Sequence, residues 1–197
     1  MAFLSYLIGG LGLGSVYAII ALGYSMVYGI AKMLNFAHGD VIMVGAFMAY
    51  FAISKYHLPI LVGVALAVVV CTVLGVVIER LAYKPLRHAS SLSVLITAIG
   101  VSYFLQNSAM LLWGTDTKIF PTVLSGSLNI GSLSVPYLTL ITILTCIVIM
   151  VVLTLFINRT KTGRAMRACS EDKGAAALMG INVNRIISIT FAIGSGL

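Results

Sequence analysis

The sequence predicts an all-α, polytopic transmembrane helix bundle, with five full spans, the start of a sixth, and the N-terminus outside. Three observations carry that expectation. Of 197 residues, 60% are hydrophobic and only 9% charged, with a mean hydropathy of +1.11. A water-soluble domain is about one quarter charged, so too few polar groups are present to coat a surface facing water. The apolar residues gather into runs near the roughly 20 residues that a helix needs to cross a bilayer. The cations, finally, fall between those runs.

The first run covers 3–30 and carries no charge. At about 1.5 Å per residue it would be about 42 Å long, longer than a hydrocarbon core of about 30 Å. Tilt, or a break near Gly9, Gly10, Gly12 and Gly14, is therefore expected. The second run covers 36–54, the third 60–79, the fourth 91–112 and the fifth 137–157. A sixth begins near Ile186 and reaches Leu197, too few residues to span, so a truncated polypeptide is expected. The whole of 1–197 reads as one transmembrane domain, incomplete at its C-terminus.

Sidedness follows from the connectors. If 158–185 is cytoplasmic, then Lys32, Arg80, Lys84, Arg87, Arg159, Lys161, Arg164, Arg167, Lys173 and Arg185 all fall inside. Only Lys55 and Lys118 fall outside. Ten of the twelve cations on one face is the asymmetry that orients membrane proteins, because translocating cationic loops is disfavoured. The net charge of +7 is thereby explained without a nucleic-acid partner. Cys71 and Cys146 lie in apolar runs and Cys169 in a basic loop, which gives no disulfide framework. No secretory signal is apparent, since no cation precedes Lys32.

Small residues recur every four positions at Gly10, Gly14 and Ala18, and again at Gly63, Ala67, Cys71 and Gly75. Such stripes let helix backbones approach closely in lipid. Polar residues at membrane depth need partners or a hydrated surface. Asn35-Phe36-Ala37-His38-Gly39-Asp40 opens the second span, and Asp40 suits the positive end of a helix dipole. A broken helix beside a transport path is the other reading of that segment. Asn35 and His38, three apart, would share a helix face. No second ligand stands beside His38 at metal-binding spacing, so no metal and no cofactor are expected. Thr97, Ser102, Tyr103, Gln106 and Asn107 form a polar set in the fourth run; Ser15, Tyr24, Ser25 and Tyr28 do so in the first. Bonding between helices and lining a path are both open to them. The candidate path residues are Ser15, Tyr24, Asn35, His38, Thr97, Gln106 and Asn107.

The outer loop 113–135 is long, and alternation over 127–135 predicts a β-hairpin turning near Gly131. On the other face, Ser170 as N-cap, Glu171 and Asp172 in the first turn, and Gly180 before Ile181 predict a short helix over 171–179. Its alanines would let a partner approach closely.

Several stretches resemble known permeases. Gly174-Ala175-Ala176, three residues, then Gly180 is similar to the loop by which ABC importer permeases dock on their ATPases, although Gly174 stands where that pattern has glutamate. Leu34-Asn35-Phe36-Ala37-His38-Gly39-Asp40 with Gly45-Ala46, Gly163-Arg164-Ala165-Met166-Arg167-Ala168, and Gly12-Leu13-Gly14-Ser15-Val16-Tyr17-Ala18 resemble the branched-chain amino acid permeases of that class. The resemblance implies a multi-pass subunit of the bacterial inner membrane. It implies as partners a second permease, two cytoplasmic ATP-binding subunits and an extracytoplasmic substrate-binding protein, all within membrane lipid. It makes 158–185 a coupling loop, with Arg164, Arg167, Glu171, Asp172, Ala175, Ala176 and Gly180 as coupling residues. Urea and amide importers use similar permeases. From the residues alone, the chain has no phosphate-binding Gly-x-x-x-x-Gly-Lys-Ser/Thr loop and no catalytic constellation, so it is expected not to be an enzyme. An ion-coupled transporter is the reading from another class, but every acid lies in a loop or near a span end.

Overall fold

The computed structural model describes residues 2–87, 89–120, 126–130 and 133–197. It is built from eight helices and one hairpin among those residues: α1 (Ala2–Ala31), α2 (His38–Tyr50), α3 (Ile60–Ile78), α4 (Ser91–Trp113), β1 (Ser127–Ile130), β2 (Leu133–Pro136), α5 (Tyr137–Arg159), α6 (Lys161–Glu171), α7 (Lys173–Leu178) and α8 (Val183–Gly196). The helices Phe3–Ala31, Ile60–Leu86, Ser91–Trp113 and Tyr137–Arg159 are long and apolar enough to cross a membrane. The protein is thus a multi-pass membrane protein, helical as expected. The second expected span is shorter: α2 has 13 residues, and a five-residue π-helical turn, Phe51–Lys55, continues it.

The chain divides into two units. One comprises residues 1–22 and 122–164. In it, the expected break in the first run does not occur; α1 is one continuous helix of 30 residues. Glycine costs a helix only about 1 kcal/mol each, less than leaving broken backbone unpaired in lipid. The close approach to α5 is made at Gly12, where a Cβ would stand 2.6 Å from Thr139 Cγ2. Gly10 and Gly14 do not make it, because a Cβ at either would meet nothing within 4 Å. With Ala18, Tyr6, Ser15 and Cys146 they line an open hollow of about 460 Å³. Phe3, Leu11 and Tyr17 on α1, and Leu144 and Val152 on α5, are exposed, as a surface solvated by lipid should be. The hairpin pairs antiparallel with Ser127 opposite Pro136 and Ile130 opposite Leu133. Its expected turn near Gly131 lies outside the described residues.

The second unit comprises residues 23–121 and 165–197. Its core joins Val27, Val41, Cys71, Ile78, Leu105 and Phe191, contributed by five helices. The small-residue stripe of α3 does pack here. Gly63 faces Ile53, Cys71 Sγ lies where a Cβ on Gly45 would come within 2.5 Å, and Gly75 takes the side chain of Ser195 on α8. Where α3 ends, the helix widens into a π turn at Glu79–Tyr83 and then narrows into Lys84–Leu86. The wide turn carries two buried polar side chains, Glu79 and Tyr83.

Candidate functional site

Helix α1 stops at Ala31 because Lys32 adopts a left-handed backbone, φ 55°. The chain then runs without helix to His38, so Asn35 and His38 do not share a helix face. They point to different partners instead. Asn35, 4% exposed, accepts a hydrogen bond of 2.8 Å from the Tyr83 hydroxyl. The buried His38 ring stands 6.2 Å from that of Tyr24, inclined at 59°. Gly23 makes room for it, since a Cβ there would come within 3.1 Å of the imidazole and 2.7 Å of the Gly194 carbonyl.

Asp40 sits in the first turn of α2, where the helix dipole favours a carboxylate. It also crosses to α4. Gln106 Nε2 donates to Asp40 Oδ1 at 3.0 Å and reaches Ser102 Oγ at 3.2 Å. Of the expected path residues, Tyr24, Asn35, His38 and Gln106 thus stand in bonds or ring contacts around the opening of α2. Thr97 donates back to Ser93 O at 2.9 Å and Asn107 to Tyr103 O at 2.7 Å, each within α4. Ser15 donates to Leu11 O within α1.

A second polar set was not among the expected site residues. Glu79 is fully buried and pairs with Arg87, while Ser188 Oγ donates to its other oxygen at 2.7 Å. Arg87 also donates to Asn184 Oδ1. Glu79, Tyr83 and Arg87 are spaced by four, the interval that stacks side chains on one helical face. That spacing was the available signal.

The basic loop is more ordered than a connector. Helix α6 is amphipathic: Gly163, Met166 and Cys169 are buried while Arg164 and Arg167 are exposed. Thr160 caps it, accepting from Gly163 N at 2.9 Å. Burial pushes the Cys169 thiol above its usual range, against a smaller opposing effect of Lys173. The N-cap of the short helix is Asp172, not Ser170. Asp172 Oδ1 accepts from Gly174 N and Ala175 N at 2.7 and 3.1 Å. Ser170 is absorbed into α6, its hydroxyl turned back to Arg167 O. The C-terminal glycine stop is as expected. Gly180 has φ 82°, and Gly180 N and Ile181 N donate to Ala177 O and Ala176 O, both at 3.0 Å. Between those fixed ends, Leu178 is 90% and Met179 83% exposed. Glu171 and Ala175 are exposed as well. Ala176 is not; it is 4% exposed, turned into the protein.

Long apolar helices, polar side chains bonded from one helix to the next, and a capped helix between cationic connectors define a polytopic membrane protein. The family model described as "Branched-chain amino acid transport system / permease component" matches residues 6–197. The chain belongs to that family. It is 43% identical over 208 aligned positions to the high-affinity branched-chain amino acid transport system permease protein BraD of Pseudomonas aeruginosa. That alignment covers 99% of this chain and 68% of the relative. The LivH permease proteins of Escherichia coli K12 and Salmonella typhimurium are 39% and 38% identical, with the same coverage. No solved structure matches the chain significantly.

Proposed function

We propose that this chain is the membrane-embedded permease subunit of an ABC importer for branched-chain amino acids, working in the bacterial inner membrane. It provides part of the translocation path, and cytoplasmic ATP-binding subunits supply the energy. A second permease and an extracytoplasmic binding protein complete the assembly. The path on this chain runs by Tyr24, Asn35, His38 and Gln106, with Asp40 holding Gln106 in place. The coupling loop is 158–185 and the outer loop 113–135.

The observation that carries the coupling role is α7 itself. A six-residue helix is too short to be stable alone, yet it is capped at both ends and presents Leu178 and Met179 to solvent. Burying two large apolar side chains is favourable by about 1.5–3 kcal/mol each, which suits a peg entering a groove on a partner. Cysteine at Leu178 or Met179 should therefore crosslink to the ATP-binding subunit in the intact transporter, under a short bifunctional maleimide. Cysteine at the buried Ala176 should crosslink at least tenfold less. Equal yields at all three positions, or none, would remove the docking role.

Two cavities support five spans with the N-terminus outside. Lys32, Arg87 and Lys173, from three connectors assigned to the inside, line one. Lys55 and Lys118, the two cations assigned to the outside, line another with Tyr50, Phe51 and Ser54.

A further inference from the structure

The cavity at Lys32, Arg87 and Lys173 holds about 270 Å³. Its three cations come from the end of α1, the turn after α3 and the start of α7, and no acid is among the lining residues. Glu79, behind the wall, offsets Arg87, so three positive charges less one negative leave two in excess. Assembling like charges beside apolar surface is unfavourable without a counter-charge. Lys173 records that cost: burial, then the like charges of Arg87 and Lys32, hold its ammonium below the usual lysine range. Its Nζ donates to Ala31 O at 2.6 Å, which uses one of its three protons.

Arg87 adds a second, independent sign. Its side chain is only 9% exposed, and its Nε is buried with no acceptor among the described residues. A buried donor left unpaired costs about 1–3 kcal/mol, so an acceptor from outside would relieve it. The acceptor must be anionic to answer the charge. Arginine and lysine together suit a phosphate, whose oxygens accept from a guanidinium and from point-charge ammoniums alike.

The rest of the wall decides the source. Leu34, Leu86, Val94 and Leu95 make it apolar beside the cations, and Tyr28 and Ser91 supply hydroxyls. A soluble anion gains nothing from such a wall, whereas the glycerol and upper acyl carbons of a phospholipid do. We propose that this cavity is a binding site for an anionic phospholipid, its phosphate held by Lys32, Lys173 and Arg87 and its acyl end laid on the leucines. Basic pockets between helices on the cytoplasmic side are placed to take such lipids. The site is independent of the transported substrate and uses only the inside assignment of these connectors, which labelling tests separately.

The test uses the intact transporter in phosphatidylcholine nanodiscs, titrated with fluorescent phosphatidylglycerol. Lys32→Gln and Lys173→Gln should each weaken binding about fivefold, and the double variant about 25-fold. Lys→Arg at the same positions should stay within about twofold, because the charge is kept. Both leave the Arg87–Glu79 pair intact, and the melting temperature measured alongside checks folding. An unchanged double variant, or equal affinity for phosphatidylcholine, would overturn the proposal. Inorganic phosphate competing as well as phosphatidylglycerol at equal concentration would overturn the lipid assignment. Loss of the ATP-binding subunit from the double variant, with lipid affinity unchanged, would give the cations to a protein contact and end it too.

Discussion

Glu79 takes a guanidinium from Arg87 on one oxygen and a hydroxyl proton from Ser188 on the other. With both oxygens answered and no exposure, the carboxylate is tolerable where few charges are. The pair is valuable only as a pair. Removing Arg87 alone leaves an uncompensated buried charge, which costs about 3–5 kcal/mol. Arg87→Met should therefore lower the unfolding free energy of the subunit, measured by denaturant titration in mixed micelles, by that amount. Glu79→Gln with Arg87→Met should recover most of it, since the two shapes are kept and the charge is gone. A double variant no better than Arg87→Met would show that the ion pair is not what holds this corner. Gln106 is the comparable case at the opening of α2. Gln106→Leu removes the donor that Asp40 uses, about 1–3 kcal/mol of interaction. Uptake should fall at least tenfold, while Ser102→Ala, which leaves the Asp40 bond in place, should change it less than threefold. Asp40 and Gln106 could be singled out in the sequence, because a polar residue inside an apolar run needs an explanation. Their pairing could not, because it joins two helices 66 positions apart. Glu79 escaped notice for a different reason. At the end of an apolar run it resembles any boundary charge, and only the four-residue spacing to Tyr83 and Arg87 marks it.

Helices were the legible elements, since a 20-residue apolar run in lipid has no other way to satisfy its backbone. The ends of α3, α4 and α5 accordingly fall near the limits of their runs. Elements governed by local competition were harder. Helix α6 was hidden because Thr162, Gly163, Cys169 and Ser170 lower its apparent helicity, although Met166 and Cys169 at a spacing of three trace its buried face. Once α6 runs to Glu171, Ser170 is interior and the cap passes to Asp172. Gly163 is required there: a Cβ would stand 2.5 Å from Phe156 O and press on the Ile157 backbone, and backbone cannot step aside. At the far end of α7 the demand is conformational. A Cβ at Gly180 would meet nothing within 4 Å, so substitution there costs only the left-handed backbone, about 1–2 kcal/mol for an ordinary residue. Gly180→Ala should loosen α7, seen as faster amide exchange over 173–179. In the assembled transporter it should uncouple ATP hydrolysis from uptake. Gly180→Asn, which tolerates φ above zero, should retain coupling within about twofold. If alanine and asparagine behaved alike, the Gly180 backbone would not be what positions the helix.

At the scale of the molecule the decisive quantity is which connectors share a side. Every crossing helix reverses the chain, so a single error in the span count would flip everything beyond it. Helix α2 is where such an error would arise, because 13 residues give about 20 Å of helix against a core of about 30 Å. Two features are consistent with the proposed crossing. The π turn Phe51–Lys55 extends it, and the polar groups at its start, Asn35, His38 and Asp40, are satisfied by protein rather than exposed to lipid. Its two ends also belong to different charge environments: Lys32 opens on the cavity with Arg87 and Lys173, Lys55 on the cavity with Lys118. Were α2 a re-entrant hairpin, those two environments would lie on one face. Single cysteines at Leu34, Tyr56 and Lys84 separate the possibilities, all three positions being exposed. In intact cells, a membrane-impermeant maleimide should label only the cysteine at 56. After permeabilisation, those at 34 and 84 should react as well. If α2 does not cross, 34 and 56 would label from the same side, because no other helix lies between them. That result would remove one crossing, and the transport path around Asn35 and His38 would have to be redrawn as a surface feature.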